Sequence, residues 1–352
     1  MRWLFSALLG ASACGRFGFD ASGPLGDAGT DGTGPGDAAT IRHNRAFITG
    51  ATHTIPWGGV SGADGACQAA ADTAQLGGTF IAFMGDDTNR PLPRLAAARG
   101  WVDLAGSAIA DQPAEWFDGT MRRALHREES GSLVPYGIVF IGAMAGSTCS
   151  DWTTTAGTGS IAYTTNYFDE FNIAPCTSTG RFACLETAYT APLVEAPQVG
   201  RYAFVTSTMW LPGAGLLDAD AFCAARASAV GLPGSYKALL ATVAATAVSR
   251  FSLTGATWVN VNGEPVFATP GELATGTYLT AFLRTEAGAP ATNAPAWWAW
   301  TGDAVDNCND YTSLNAGQSA MTGDASSAQR SYLFARQTYP CNIARPLICL
   351  QE

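Results

Sequence analysis

Lysine is almost absent from this 352-residue chain, and a basic surface is absent with it. Only Lys237 occurs, and 19 Lys and Arg residues stand against 29 Asp and Glu, for a formal net charge of −10. Nucleic acids, heparin-like polyanions and anionic lipid surfaces bind to clusters of cationic side chains. The composition therefore argues against all three classes of partner.

Recognisable catalytic machinery is also missing. The chain has no G-x-S-x-G, H-E-x-x-H or phosphate-loop motif, and all three histidines lie in its first half. His126, close to Glu128 and Glu129, is a candidate general base; the alternative is an exposed helix over Met121–Glu129 with charge pairs three and four residues apart. A two-carboxylate glycosidase stays open, because sequence spacing does not give separation in space. We expect no enzymatic activity.

Long apolar runs are lacking, since no stretch reaches the roughly 18 residues of a membrane span. Residues 1–14 predict an export signal, with an apolar run at Trp3–Leu9 and small residues before Cys14. This segment resembles a bacterial lipoprotein signal, in which the cysteine is diacylated and becomes the mature N-terminus. Lipidation at Cys14 accounts for the odd cysteine. The alternative is ordinary cleavage after Ala13, which releases the protein.

Residues 15–40 contain eight Gly and four Asp and are almost without apolar residues after Phe19. Such a segment cannot bury enough surface to fold, and it predicts a disordered tether. We therefore expect an exported protein, attached by its N-terminal lipid to a bacterial cell envelope, at the outer membrane. Membrane contact is expected through that lipid only.

Eight of the nine cysteines form two sets in the same order and with similar spacing. The first set is Cys67, Cys149, Cys176 and Cys184, and the second is Cys223, Cys308, Cys341 and Cys349. Two matching sets indicate the same disulfide framework twice and an oxidising compartment. Four cysteines allow three pairings, and the spacing does not choose among them. Zinc binding is the rival, but neither set has a C-x-x-C pair.

One helical pattern occurs twice, around Cys67 and around Cys223. Apolar residues recur every three to four positions, which is typical of one helix face. Asp64 stands where an N-cap is expected, as does Asp218 or Asp220 in the second copy. Gly77 and Gly231 are expected to end the helices, and the runs Phe80–Phe83 and Tyr236–Leu240 are predicted strands.

Further landmarks recur in the same order and predict two tandem domains. These pairs are Arg45–Thr49 with Arg201–Thr206, Gly100–Gly106 with Thr257–Gly263, Val139–Gly142 with Trp298–Gly302, Cys149–Thr153 with Cys308–Thr312, and Arg181–Glu186 with Arg345–Gln351. We place the first domain at 41–188, a linker at 189–199 and the second domain at 200–352. The segments Thr153–Thr179 and Tyr311–Gln337 are predicted long loops that form the variable recognition surface.

The repeated unit resembles the endostatin module at the collagen C-terminus. The residues that carry this resemblance are Gly62 to Phe83, the strand near Trp101, the motif Cys149-Ser-Asp-Trp152 and the closing Cys176–Glu186, with counterparts in the second repeat. It implies an α+β fold with two tandem C-type-lectin-like (endostatin-like) domains, each a disulfide-pinned mixed antiparallel sheet with a short helix or two. It also implies the pairs Cys67–Cys184, Cys149–Cys176, Cys223–Cys349 and Cys308–Cys341.

The functions of that family do not carry over directly. The chain is acidic and lacks a histidine cluster, so heparin binding and zinc binding are not expected, and it lacks the Glu-Pro-Asn, Gln-Pro-Asp and Trp-Asn-Asp strings of calcium-dependent lectins. An oxygen-rich run offers a calcium site; its residues are Asp303, Asp306, Asn309 and Asp310. The alternative is a solvated turn. Trp297 is a candidate for stacking on sugar, or one of a group of core tryptophans.

The sequence predicts a binding or adhesion protein that recognises a glycan or a surface protein. No cofactor is expected apart from the calcium hypothesis. The alternatives are a secreted surface hydrolase and an envelope spacer without a soluble ligand. Because fold alone does not decide among these, the functional prediction rests on analogy.

Overall fold

The computed structural model describes residues 42–118, 120–135, 137–164, 168, 172–276, 278–282, 284–291, 307–323, 325 and 337–352. Residues 41–352 form one compact α+β unit. The predicted signal, the tether, Cys14, Trp297, Asp303 and Asp306 lie outside the described residues. Within the described part of the chain, no helix is long and apolar enough to cross a membrane.

Besides 3₁₀ turns at Leu92–Leu95 and Pro113–Trp116, the described residues of the first repeat form nine short strands, one long helix and one four-residue turn. In order they are β1 (Asn44–Ile48), β2 (His53–Thr54), α1 (Gly59–Thr73), β3 (Phe80–Ala82), β4 (Trp101–Val102), β5 (Ala108–Ala110), β6 (Ile138–Phe140), α2 (Cys149–Trp152), β7 (Thr158–Tyr163), β8 (Asn172–Pro175) and β9 (Thr179–Glu186). The sheet order is β5-β4-β1-β9-β6-β7-β8, with β2 and β3 also paired to β9. The sheet is mixed, because β1 pairs with β4, and β6 with β9, in parallel.

Strand β9 lies at the centre of this sheet and is buried on both faces. Phe182 and Cys184 belong to the hydrophobic core that α1 covers. The alternate residues Ala183 and Leu185 belong to the opposite core, which contains Trp101. This division follows from the two-residue period of a strand, which sends successive side chains to opposite faces.

The second repeat has a similar arrangement, with fewer regular strands among the residues that the structure describes. Its elements are β10 (Arg201–Val205), α3 (Leu216–Ala229), β11 (Tyr236–Ala238), β12 (Trp258–Asn260), α4 (Glu272–Thr275), α5 (Cys308–Tyr311), β13 (Ser319–Thr322), β14 (Gln337–Pro340) and β15 (Ile348–Gln351). Its described sheets have the orders β11-β15-β10-β12 and β13-β14. Phe204 lies opposite Cys349, as Phe47 lies opposite Cys184. This register makes Tyr202 the counterpart of Arg45 and Arg201 the counterpart of Asn44, so the two matched segments align through their Phe and Thr residues.

Each repeat contains two disulfides, and all four are the pairs that the resemblance implies. Cys67–Cys184 and Cys223–Cys349 join each long helix to the last strand, across 117 and 126 residues. Cys149–Cys176 and Cys308–Cys341 close shorter loops of 27 and 33 residues. In each repeat, one bridge therefore ties together elements that are far apart in sequence.

The predicted helix caps are wrong. Helix α1 begins at Gly59 and α3 at Leu216, so Asp64, Asp218 and Asp220 lie inside the helices. The Asp64 carboxylate accepts hydrogen bonds from the Ala82 backbone N–H (2.9 Å) and from Arg94 (2.5 Å). The cap prediction failed because an aspartate near a helix start is equally suited to bind a neighbouring strand.

Two predicted loops and one predicted helix also differ from the structure. The segment 153–179 contains strands β7 and β8, and the segment 311–337 contains β13. Residues 121–129 are not helical, and His126 is buried. The loop predictions failed because small and hydroxyl residues still pair as strands when a neighbouring strand supplies the hydrogen bonds. The helix prediction failed because tertiary contacts override the charge pattern of a short segment.

The repeats contact each other through equivalent segments, 120–127 in the first and residues 278–282 and 284 in the second. Ala124 of the first repeat packs into the core of the second, and Ala281 of the second packs into the core of the first. Both alanines are at most 2% exposed. Each repeat therefore completes the core of the other with a single small side chain.

Hydrogen bonds reinforce this contact between the repeats. The Thr280 hydroxyl donates to the Arg122 carbonyl oxygen (2.9 Å). The Arg284 guanidinium donates to the carbonyl oxygens of Thr120 (3.1 Å) and Met121 (3.3 Å). Side chains of the second repeat therefore satisfy backbone carbonyl groups of the first.

The predicted linker is ordered where it is described. The Leu193 N–H donates to the Asp111 carboxylate (2.6 Å) in the first repeat, and the Gln198 N–H donates to the Gly263 carbonyl (2.9 Å) in the second. The connection is therefore hydrogen-bonded to both repeats.

Candidate functional site

A left-handed turn stands at the loop end of each repeat. The φ angles of Cys149–Trp152 are 51°, 51°, 53° and 63°, and those of Cys308–Tyr311 are 53°, 54°, 51° and 63°. Left-handed backbone costs about 1–2 kcal/mol for each residue with a side chain. Four such residues in succession persist only where the surroundings hold them. Because the same strained turn occurs in both repeats, it is a regular part of the repeated fold.

Side chains and disulfides hold both turns. Asn307 caps the second turn by accepting from the Asp310 N–H (2.9 Å), and Thr148 does the same for Asp151 (3.3 Å). The first and last residues of each turn are buried, and the first is bridged to a following strand or turn. The turn is thus fixed at both ends and presents its middle residues.

The aspartate of each turn binds the segment that follows the strand after the long helix, which is β3 in the first repeat and β11 in the second. Asp310 Oδ1 accepts from the Val243 N–H (2.8 Å) and from Asn307 Nδ2 (2.6 Å). Asp151 Oδ1 accepts from the Asp87 N–H (2.8 Å) in the same way. In both repeats this carboxylate latches one loop to another.

The calcium prediction stays a prediction. Asn309 donates to the Thr312 hydroxyl (2.9 Å), and Asp310 is engaged as above, so the two described members of the run serve the turn itself. Among the described residues, no group of three or more His, Cys, Asp or Glu side chains is placed to hold a metal ion. Asp303 and Asp306 lie outside the described residues.

Three further segments converge on the turn of the second repeat. Trp210 exchanges two backbone hydrogen bonds with Arg345 (2.7 and 2.8 Å), and its indole donates to Asp218 on α3 (2.8 Å). The N–H groups of Gly213 and Gly215 both donate to the Tyr311 carbonyl (2.7 and 3.0 Å). The loop end is therefore a hydrogen-bonded platform.

This platform exposes large apolar side chains, which we call the apolar patch. Its members, with exposed fractions, are Met209 (55%), Leu211 (44%), Leu217 (83%), Val243 (62%), Leu314 (50%) and Ile343 (37%). Leu314 lies against Gly213, and Met209 and Leu211 flank Trp210 in the chain. A group of exposed apolar residues on one loop end is typical of an interaction site.

The first repeat is polar at all the matching positions. The landmarks align Met209 with Thr52, Leu211 with Thr54, Leu217 with Ser61, Val243 with Asp87, Leu314 with Thr155 and Ile343 with Ser178. This difference between the repeats is visible when their sequences are aligned residue by residue, whereas catalytic and metal-binding motifs do not include these positions. The fold therefore does not require apolar side chains there.

The first repeat contains a cleft beside the beginning of β1. This cleft of about 410 Å³ is lined by Arg42, His43, Arg45, Leu76, Gly77, Gly78, Glu186 and Tyr189. Arg45 donates to Glu186 (2.8 Å) and to the Leu76 and Gly77 carbonyls (2.5 and 2.9 Å). The hydrogen bond with Glu186 raises the pKa of Arg45. The charge of this arginine is already matched, so it is not left for a ligand.

His126 does not reach a surface where a substrate would bind. It is 9% exposed, and its Nδ1 lies 2.8 Å from the Ala124 carbonyl oxygen, at the contact between the repeats. Burial lowers the pKa of His126. Glu129 accepts from the Gly50 N–H (2.7 Å), and the Glu128 carboxylate accepts from Ser130 (2.7 Å). The arrangement gives these groups structural partners.

The comparisons with known proteins leave the function to be argued from the molecule. The chain matches no protein-family model and no curated protein. What it can do chemically is therefore inferred from two features described above, the disulfide-pinned repeats and the loop end of the second repeat.

Proposed function

We propose that the chain is an exported, lipid-anchored binding protein of the cell envelope with two C-type-lectin-like, endostatin-like domains. In this proposal it recognises a glycan or a protein on a neighbouring surface and catalyses no reaction. The observation that carries it is the loop end of the second repeat, where a disulfide, two backbone pairings and an aspartate latch hold an exposed apolar patch rigid. Preorganised loops on a rigid scaffold are typical of binding sites.

The fold supports this proposal at the level of architecture. First and last strands pair antiparallel at the centre of each repeat, and a helix is bridged to the last strand. Such a core leaves the long connections free to differ, as they do between the two repeats. The paired cysteines also agree with an oxidising extracellular environment.

The test is a binding experiment with residues 40–352. We expect saturable binding to a glycan array or to intact cells, and no turnover of generic glycoside or ester substrates. A parallel thermal-unfolding titration with Ca²⁺ and EDTA uses the variants Asp303→Asn and Asp306→Asn. A saturable calcium shift that both variants abolish would support a lectin-type site. Turnover, or the absence of any binding, would contradict the proposed function.

A further inference from the structure

We propose that the cleft beside the beginning of β1 binds a small molecule that carries a single carboxylate group. This site is separate from the one in the proposed function, because the cleft lies in the first repeat and the apolar patch in the second. The cleft volume of about 410 Å³ falls in the range of roughly 300–1,000 Å³ that is typical of small-molecule sites. The ligand class follows from the charges that line the cleft and from their replacement in the second repeat.

Two neighbouring side chains of the cleft have no partner among the described residues. Arg42 is exposed and forms no ion pair in the described part of the chain. His43 lines the same cleft, and its buried Nδ1 has no hydrogen-bond partner. A guanidinium presents a planar fork of donors that matches the two oxygens of a carboxylate. Arg42 is therefore available to bind an anion.

The other two charges of the cleft neutralise each other. The Glu186 carboxylate accepts from Nε (2.8 Å) and Nη2 (2.9 Å) of Arg45. Its side chain is 1% exposed, and it is the only carboxylate among the lining residues. The hydrogen bond with Glu186 and the charge interactions with Glu186 and Tyr189 raise the pKa of Arg45. Apart from His43, the lining therefore keeps the one unmatched positive charge of Arg42.

The second repeat replaces every charged or ionisable side chain at the corresponding positions. The strand register and the cysteines give these counterparts: Val199 for Arg42, Gly200 for His43, Tyr202 for Arg45 and Gln351 for Glu186. The replacement covers the pair that is matched and also the two residues that have no described partner.

A neutral side chain makes the same structural contacts in the second repeat. Gln351 accepts from the Tyr202 N–H (2.8 Å) and donates to the Pro233 carbonyl (2.9 Å). In the first repeat, Glu186 accepts from the Arg45 N–H (3.1 Å), and Arg45 donates to the Gly77 carbonyl (2.9 Å). One glutamine thus replaces an ion pair, and the fold requires no charge at this corner. The charges of the first repeat therefore indicate a ligand.

The cleft is also held in shape by a contact that only the first repeat has. The Asn44 side chain accepts from the Tyr189 N–H (2.9 Å) and donates to the Tyr189 carbonyl (2.7 Å). Asn44 is fully buried, and Arg201 stands in its place in the second repeat. Because Tyr189 is fixed before a ligand arrives, little ordering opposes binding. Its ring and Leu76 supply apolar contact for the rest of the ligand.

The charge of the lining disfavours three other kinds of ligand. A phosphate monoester carries about 1.5 to 2 negative charges near neutral pH, more than one arginine matches. Polyanions require a cluster of cations, and the net charge of −10 opposes their approach. A neutral sugar would leave Arg42 without an ion pair. A single carboxylate, on a free organic acid or on a sugar acid, matches the charge of the cleft.

The experiment titrates residues 40–352 with sodium D-glucuronate and with sodium L-lactate, followed by ligand-observed NMR. We expect saturable binding of at least one acid, and clearly weaker binding of D-glucose, which has the ring of glucuronate without the carboxylate. Arg42→Gln should weaken the binding about tenfold or more, because a charge-assisted hydrogen bond is lost.

Arg90→Gln is the matched control. It removes the same charge from another exposed arginine of the first repeat, which has no described ion pair and does not line the cleft. We expect this variant to bind the acid as the unaltered protein does. Both variants should keep the unfolding midpoint, because both side chains are exposed.

Each outcome supports or overturns the proposal. Binding of both acids shows that the carboxylate itself is recognised, and binding of one alone identifies a sugar acid or a free organic acid; both results support it. Four results overturn it: no saturable binding of either acid, equal binding of glucose, tighter binding of inorganic phosphate, or equal binding by Arg42→Gln. None of these four results bears on the proposed function, which glycan-array and cell binding test separately.

Discussion

At the scale of single residues, Asp310 shows how one carboxylate holds an unfavourable backbone. It lies in the left-handed turn and accepts from the N–H of Val243 and from Asn307. Aspartate and asparagine tolerate left-handed backbone better than other residues with side chains. The role of Asp310 is therefore to join a turn and a loop, and its charge is secondary.

This role distinguishes two substitutions at the same position. We expect Asp310→Ala to lower the free energy of unfolding by about 0.5–1.5 kcal/mol, because the exposed Val243 N–H and the Asn307 amide lose a hydrogen-bond acceptor. Asp310→Asn keeps a side-chain oxygen and should lose clearly less. Urea unfolding of both variants at neutral pH measures the difference. Equal losses would show that the negative charge matters more than the latch.

His126 gives the molecule a pH dependence that can be separated from that of its carboxylates. Burial lowers its pKa below the ordinary value near 6.5, with Arg127 and Asp103 as neighbouring charges. The unfolded chain therefore takes up a proton on this residue at a higher pH than the folded chain. Stability is present above the unfolded pKa and falls as the pH drops below about 6.5.

We expect the free energy of unfolding to decrease between about pH 7 and pH 5, with a slope from this residue of at most about 1.4 kcal/mol per pH unit. His126→Gln, which stays neutral, should flatten this part of the profile. Urea unfolding at several pH values measures it. His53, whose pKa burial also lowers, stays unchanged in the variant and contributes the remaining slope. A profile identical in both proteins would contradict the assignment.

At the scale of elements, an Asp–Arg clamp joins helix, strand and 3₁₀ turn in both repeats. Asp64 on α1 binds the Ala82 N–H and Arg94, and Asp220 on α3 binds the Ala238 N–H and Arg250. In both repeats the Arg follows the Asp by 30 residues. This clamp places each helix against the sheet and so positions the cysteine of its long-range bridge.

The clamp predicts a contrast between two aspartates of the same helix. Asp64→Ala should lower the free energy of unfolding by about 1–3 kcal/mol, because a strand N–H and Arg94 lose their acceptor. Asp72→Ala removes an exposed carboxylate that accepts only from Gln68 in the described contacts. Its effect should stay within about 0.5 kcal/mol. Chemical denaturation of the two variants compares them, and similar losses would show that the Asp64 pair is an ordinary surface ion pair.

At the scale of the whole molecule, residues 41–352 behave as one unit because each repeat lends an alanine to the core of the other. Ala124 and Ala281 are too small to stabilise a contact alone, yet both are buried. The surrounding hydrogen bonds from Thr280 and Arg284 make the contact specific. The two repeats are joined in one chain and also pack against each other as two similar units.

This contact predicts cooperative unfolding of the two repeats. We expect a single calorimetric transition for residues 40–352. Ala124→Arg, which places a charge in the core of the second repeat, should lower the midpoint and separate the transition into two. Ala69→Arg, at an exposed position on α1 away from the contact, is the control and should preserve one transition. Two transitions in the unaltered protein would contradict the shared core.

How much of this was accessible from sequence differs from element to element. The cysteine order, the helix around Cys67 and the strand near Phe47 follow from local periodicity and from the duplication. The register that pairs Arg45 with Tyr202 does not, because a strand can slip by one residue without changing its composition. The hydrogen bond between Thr280 and Arg122 likewise could not be predicted, because it joins residues more than 150 positions apart.

The sequence by itself determined that this is an acidic chain with one unit repeated twice and a matching set of four cysteines in each copy, because composition and spacing can be read directly from the residues. The α+β fold and the cysteine pairing were expectations that came from the resemblance. Only the tertiary structure decided what the aspartates do. From the sequence, Asp64 was expected to cap a helix and Asp310 to be a candidate calcium ligand. In the structure, each carboxylate accepts a hydrogen bond from a segment that folding brings beside it. The apolar patch was also decided there, because its six members come from five separate segments of the chain. The order of residues determines which side chains are available, whereas the packing of the sheet determines which of them lie close together.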